Sequence, residues 1–172
     1  MSGELKYTVA DIGSGWVGVL GSDSGLLKIT LPQTSARGAE RLLGDRVGQA
    51  IRAEAPFADL LQRLSSYLAG QRVDFYDELD LSAATAFQRE VWQVTRLIPY
   101  GETRNYGWVA EKLGKAGAGR AVGQALARNP LPIIVPCHRV VAKDSGLGGY
   151  SGGVDKKAYL LRLESPEEPA AI

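Results

Sequence analysis

Cys137 and His138 stand side by side in "NPLPIIVPCHRVV", residues 129 to 141, and they are the only cysteine and the only histidine among 172 residues. A thiol attacks as the thiolate, a state favoured by basic surroundings or an adjacent base. Imidazole is the side chain best suited to be that base near neutral pH. In an extended chain adjacent side chains point to opposite faces, so a proton moving from Cys137 to His138 needs a water or a local bend. The plain alternative is that Cys137 is a small buried hydrophobe and His138 a structural residue. One cysteine excludes an internal disulfide, and the pair supplies too few ligands for a Cys/His zinc site.

The segments before this pair must position it. Ile133, Ile134 and Val135 read as a short buried strand leading to Cys137, and Asn129-Pro130 ends the helix before it. That helix is expected from about Arg120 to Arg128, with Val122 and Leu126 inward and Arg120, Gln124 and Arg128 stacked on another side. A shorter helix, Tyr106 to Leu113, precedes it, capped by Asn105 and ended by Gly114. Two short helices joined by a glycine-containing turn make a helix-turn-helix. Ala121, Gly123, Ala125 and Ala127 leave the second helix thin. A mid-helix glycine costs about 1 kcal/mol against alanine, so Gly123 marks close approach, either of a packed helix or of a minor groove only about 6 Å wide.

Thr85-Ala86-Phe87-Gln88 fits a capping box opening an amphipathic run through Phe87, Val91, Val94 and Ile98, which Pro99 stops. The first half reads as mixed α and β. "WVGVLGSDSGLLKITLP" places two strands around a turn at Asp23, Ser24 and Gly25, with Leu27, Ile29 and Leu31 alternating with Lys28 and Thr30. Phe57, Leu60, Leu61, Leu64 and Leu68 share a helical face ended by Gly70, and "RVDFYDELDL" reads as an edge strand or a linker.

Hydrophobic residues make up 45% of the chain and charged residues 23%, an ordinary globular balance. The start, "MSGELKYTVADIGSGW", lacks the basic and apolar regions of a leader, and no stretch approaches the roughly 20 apolar residues of a membrane span. A soluble protein of a reducing compartment is expected. Residues 1–82 carry 8 basic and 11 acidic side chains, net −3, whereas 83–172 carry 12 and 8, net +4. From Arg104 to Lys143, seven cations face only Glu111, a bias of +6 that suits a phosphate backbone.

"PCHRVV", with "RAVGQALARNP" upstream and "GGYSGG" downstream, resembles the O6-alkylguanine-DNA alkyltransferases, repair proteins that move an alkyl group from guanine to their own cysteine. The resemblance runs in unbroken order over about residues 83 to 165, and the amino-terminal half matches only in general type. It implies Cys137 as acceptor, His138 as base through a water, Glu164 orienting His138, and Asn129 holding the turn between recognition helix and active site. Tyr106 would press on the phosphate beside the target and assist the departing guanine. Arg120 would fill the gap left by a flipped nucleotide, with Ala121, Gly123 and Arg128 also on the DNA side. Val140, Tyr150 and Ser151 would line the guanine pocket. Asn105 stands where the family commonly has Ser or Thr, and zinc carried by some members on their amino-terminal domain is excluded here. Relatives that bind lesions without repair carry tryptophan at the acceptor position, so Cys137 argues against that class.

The expectation is therefore an α/β (α+β) protein. Residues 1–82 form an amino-terminal domain with an antiparallel sheet plus helix and a linker, and 83–172 a mainly helical, winged-helix-like domain with the helix-turn-helix and Cys137. The expected reaction is irreversible, stoichiometric alkyl transfer from O6 of guanine, with O4 of thymine left open, by a cytoplasmic, nucleoid-associated monomer, or a nuclear one in a eukaryote. Duplex DNA is the expected partner, cooperation between copies on DNA is left open, and no cofactor, metal or membrane is expected. The alternatives are a lesion-binding protein without chemistry, a helix-turn-helix regulator, and a thiol hydrolase.

Overall fold

The computed structural model describes residues 4–143, 150 and 153–165. The chain is a mixed α+β protein that divides into two units, Met1–Ala83 with Pro130–Ile134, and Ala84–Asn129 with Val135–Ile172.

In the first unit β1 (Lys6–Asp11), β2 (Trp16–Ser22) and β3 (Gly25–Ile29) form an antiparallel meander. The two-residue β4 (Ile51–Arg52) joins beside β1 in parallel, giving the order β3-β2-β1-β4. α1 (Ala36–Leu43) is capped by Ser35, whose hydroxyl accepts the Gly38 N–H at 3.0 Å. Its Ala39 and Leu43 join Leu5, Val9, Leu20 and Leu27 in one apolar cluster. Gly18 permits this: a Cβ there would lie 2.9 Å from Leu43 and 3.1 Å from the Ala39 carbonyl. The expected alternation along β3 holds at Leu27 and Ile29, but Thr30 is buried while Leu31 is half-exposed, because the Thr30 hydroxyl accepts the Gly18 N–H at 2.9 Å. α2 (Ala58–Leu68) buries Leu60, Leu61, Leu64 and Leu68 with Tyr67, and Phe57 is buried in the turn before it. Residues 71–78 form no strand. They run alongside, fastened by a forked Arg63–Asp77 pair at 2.9 and 2.7 Å and by a single parallel bridge, Leu26 to Leu79.

The strand expected at Ile133–Val135 is instead a turn. Ile133 sits at φ 76°, and the prolines at 130 and 132 have no N–H with which to extend a ladder. Pro130 contributes its carbonyl, which accepts the Ile29 N–H at 3.0 Å.

The second unit opens with α3 (Ala86–Thr95). The capping box closes in both directions, Gln88 N–H to Thr85 Oγ1 at 3.1 Å and Thr85 N–H to Gln88 Oε1 at 3.0 Å. Its buried face is Val91, Trp92 and Thr95; Ile98 is buried from the turn that follows, and Phe87 and Val94 are half-buried. β5 (Arg104–Asn105) leads into α4 (Tyr106–Lys112), where Asn105 Oδ1 accepts the Trp108 N–H at 2.8 Å. Gly114, at φ 72°, makes the left-handed turn that ends α4. α5 (Gly119–Ala127) completes the helix-turn-helix, starting and stopping one residue before the expected bounds. β6 (Val140–Val141) pairs with β5 in parallel, and α6 (Val154–Glu164) closes the described chain. Among the described residues no helix is long and apolar enough to cross a membrane.

Candidate active site

Cys137 and His138 are not extended. Residues Cys137–Arg139 make one turn of 3-10 helix, with the Arg139 N–H donating to the Pro136 carbonyl at 2.9 Å and the Cys137 N–H to the Val135 carbonyl at 2.7 Å. This is the local bend that lets neighbouring residues serve one site. The Cys137 sulfur is buried and accepts a hydrogen bond from Asn129 Nδ2 at 3.1 Å; the same amide donates to the Val135 carbonyl at 3.0 Å. Asn129 lies just past the end of α5, so one side chain joins that helix to the turn holding Cys137.

Behind the sulfur, His138 Nε2 and Glu164 Oε2 are 2.7 Å apart, both buried. Arg139 forks the same carboxylate, Nε to Oε1 at 2.8 Å and Nη2 to Oε2 at 3.0 Å, while Nη1 donates to the Ile98 carbonyl at 2.7 Å. Burial alone would raise the Glu164 carboxyl, but the hydrogen bonds and charges of His138 and Arg139 prevail and hold its pKa at about 2. Burial holds His138 below the ordinary imidazole value, reinforced by the Arg139 and Lys157 charges and opposed by Glu164. The site therefore pairs a firmly ionised carboxylate with a neutral imidazole, the state that can accept a proton.

Burial also pushes the Cys137 thiol up, against the Asn129 hydrogen bond and the Lys157 charge. Lys157 is fully buried on α6, with Nζ donating to the Val140 carbonyl at 2.7 Å and lying 5.8 Å from the Tyr106 ring centre. Burial draws its pKa down from 10.5 to about 8. The buried Tyr150 hydroxyl faces the sulfur, and burial together with the field of Cys137 pushes it well above an ordinary phenol. Cys137, His138, Glu164, Asn129, Val140, Tyr150 and Tyr106 are thus linked through one cluster of contacts around Cys137 and Lys157, while Ser151 lies outside the described residues.

Outside this cluster Arg120, Ala121 and Gln124 are exposed on α5, as is Arg128 at its C-cap. Gly123 and Gly119 seat Tyr106, whose ring a Cβ at 123 would meet at 3.7 Å and whose Cβ one at 119 would meet at 3.7 Å. That is ordinary contact, so packing within the unit does not by itself require Gly123 to lack a side chain. Lys112, 5.5 Å from the Trp108 ring centre, adds exposed charge on α4, whereas Arg104, 5.4 Å from the same ring, is half-buried and paired with Glu102 at 2.8 Å. Arg139, counted above with the basic surface, is buried on Glu164 and belongs to the interior instead.

Arg139 and Lys157 are the functional candidates that sequence reasoning missed. Arg139 stood among the cations of the Arg104–Lys143 stretch, and Lys157 entered only the charge count of residues 83–172. For Lys157 a signal existed, since Lys157, Leu160 and Glu164 fall at i, i+3 and i+7 on one face of α6, and all three are buried.

Residues 86–166 match the family model described as 6-O-methylguanine DNA methyltransferase, DNA binding domain. A methylated-DNA–protein-cysteine methyltransferase of Mycolicibacterium paratuberculosis is 49% identical over 116 residues, 67% of this chain and 70% of its own. A Salmonella typhimurium protein of the same name is 48% identical over 106 residues, 61% of each chain. The crystal structure of Mycobacterium tuberculosis OGT in complex with DNA superposes with TM-score 0.79 at 40% identity, covering 96% of both chains. The O6-methylguanine-DNA methyltransferase of Pyrococcus kodakaraensis gives TM-score 0.67 at 26% identity, over 93% of this chain and 98% of that one. Motif, fold and relatives agree, and the chain belongs to the methylated-DNA–protein-cysteine methyltransferase family.

Proposed function

We propose that this protein repairs alkylated duplex DNA by moving the alkyl group from O6 of guanine onto Cys137, once per molecule. The observation that carries the reading is the buried thiol on the Asn129 amide at 3.1 Å, backed by the His138–Glu164 pair at 2.7 Å. The thiol proton passes through a water to His138, which Glu164 orients and stabilises as the imidazolium forms. The sulfur then attacks the alkyl carbon. A carbon–sulfur bond forms, the carbon–O6 bond breaks, and the departing guanine is neutralised by a proton from the Tyr106 hydroxyl, which water replaces while His138 returns the thiol proton to solvent. Val140, Tyr150 and Ser151 line the guanine pocket in this reading. A thioether is a poor leaving group, so the transfer is irreversible and the protein is spent.

The exposed Arg120, Ala121 and Arg128, with the half-buried Gly123 between them, support entry of α5 into a minor groove by shape and charge, with Arg120 occupying the space of the flipped nucleotide. Residues 83–172 are proposed as the DNA-binding and acceptor domain and 1–82 as a separate amino-terminal domain. A cytoplasmic site of action goes with this chemistry. Reaction with O4-alkylthymine, and cooperation between copies on DNA, are finer parts of the same proposal.

The test is the intact mass after incubation with O6-methylguanine duplex. One added methyl, mapped to Cys137, is expected. Binding with unchanged mass would replace this reading with lesion recognition alone, and strong preference for one undamaged sequence would favour a regulator.

A further inference from the structure

Glu164 at 2.7 Å from His138 presents a difficulty for the proposed relay. A carboxylate this close stabilises the imidazolium, and an imidazolium cannot take the proton of Cys137. The second group on that carboxylate is Arg139. Its guanidinium reaches both oxygens, shares Oε2 with His138, and is anchored at its far end by the Ile98 carbonyl at 2.7 Å. The Tyr100 ring centre is 5.7 Å away, and the Gly101 N–H also reaches Oε1, at 3.4 Å. The carboxylate is therefore divided between a permanent cation and a titrating one.

We propose that Arg139 is a positioning residue of the proton relay, which by forking Glu164 limits the carboxylate's pull on His138 and so keeps the imidazole able to accept the thiol proton. The inference rests on the function proposed above. The charged groups facing His138 are Glu164 and Lys157 from α6, Arg139 from its own turn, and Cys137 beside it. Arg139 and Lys157 oppose a charge on the ring and Glu164 favours it. The fork matters as well as the charge, since lysine brings a point charge on a flexible stem and cannot grip both oxygens in one plane.

His138 is the only histidine, so its ring signals titrate alone in an NMR spectrum of the intact protein. Wild type, Arg139→Lys and Arg139→Gln are titrated this way. The rate of methyl transfer from O6-methylguanine duplex is then followed over the same pH range. The His138 midpoint should rise from wild type to Arg139→Lys to Arg139→Gln, by about one pH unit for the glutamine variant, as expected for loss of a neighbouring charge. The acid limb of the rate profile should move with it, a loss of about tenfold on that limb per unit. Should Arg139→Gln fail to fold, the rise in Arg139→Lys carries the comparison. A His138 midpoint unmoved in the folded variants would overturn the proposal, as would a moved midpoint with an unmoved acid limb. Absence of transfer from the wild type would instead overturn the functional reading, while the titration, which needs no substrate, would still report Arg139's hold on His138.

Discussion

Asn129 Nδ2 donates to the Cys137 sulfur at 3.1 Å and to the Val135 carbonyl at 3.0 Å, so the residue just past α5 also holds the buried thiol. Alkylation adds carbon to the buried sulfur this amide approaches. Added carbon in a packed site costs about 1 to 3 kcal/mol, and the amide loses its better acceptor. The alkylated protein should melt below the free one, benzylated further than methylated, with weaker DNA binding in both. Thermal melting and duplex titration of the three forms check this; equal or higher melting temperatures after alkylation would count against it.

Cys137→Ser should abolish transfer and leave binding to duplex DNA nearly unchanged, because the exposed cations of α5 are separate from the buried pocket. Binding by both proteins should weaken steeply with added salt, as phosphate contacts require. A large loss of binding in the serine protein would show that the thiol is part of the DNA-binding surface.

Glu164 supplies a pH dependence of stability whose sign is fixed. Its folded pKa, about 2, lies below the ordinary 4.5, so its contribution is fully present above about pH 4.5 and is lost as pH falls toward 2. The size is on the order of 3 kcal/mol, from 1.36 kcal/mol per unit. Denaturant melts of wild type and Glu164→Gln between pH 2 and 7 should differ most at the neutral end and converge in acid.

Lys157 acts in the opposite window. Its folded pKa of about 8 lies below 10.5, so the folded state carries the cost of a buried charge below about pH 8 and is relieved of it as pH climbs to 10.5. Since the thiol titrates in the opposite sense there, the measurement belongs in the Cys137→Ser protein. Stability should rise between pH 8 and 10 in that background, and a further Lys157→Met change should remove the rise.

Arg120→Ala should slow repair of O6-methylguanine in duplex DNA far more than reaction with the free alkylated base, because extrusion costs a few kcal/mol of unstacking that only the duplex demands. Rates measured on both substrates decide it. Equal losses would place Arg120 in support of the pocket and not of the flip.

Local signals read well from the chain alone. The Thr85–Gln88 capping box, the Asn105 cap and the Gly114 stop depend on neighbours within a few residues, and each boundary they mark lies within a residue of where they put it, whereas α3 stops at Thr95, three residues short of the Ile98 expected from Pro99. Ile133 and Ile134 misled because an apolar run looks the same as a strand or as a buried turn, and the flanking prolines were the better guide. β1 and α1 carry no comparably distinctive signal and emerge through pairing with β2 and packing on Gly18. Within the site, motif order brought Cys137, His138, Asn129 and Glu164 together on the page, as the fold does in space. Arg139 stayed hidden because whether a cation is buried depends on which carboxylate the chain returns from 25 residues away.

The indole N–H of Trp92 donates to the Ala125 carbonyl at 2.9 Å, from a fully packed position on α3 to the last turn of α5. A helix clamped this way meets its target already in its working posture, and little conformational freedom remains to be surrendered on contact. The clamp also makes Trp92 an internal gauge: its emission should stay constant while α5 is seated, and change if the helix lifts away once the thiol has been used.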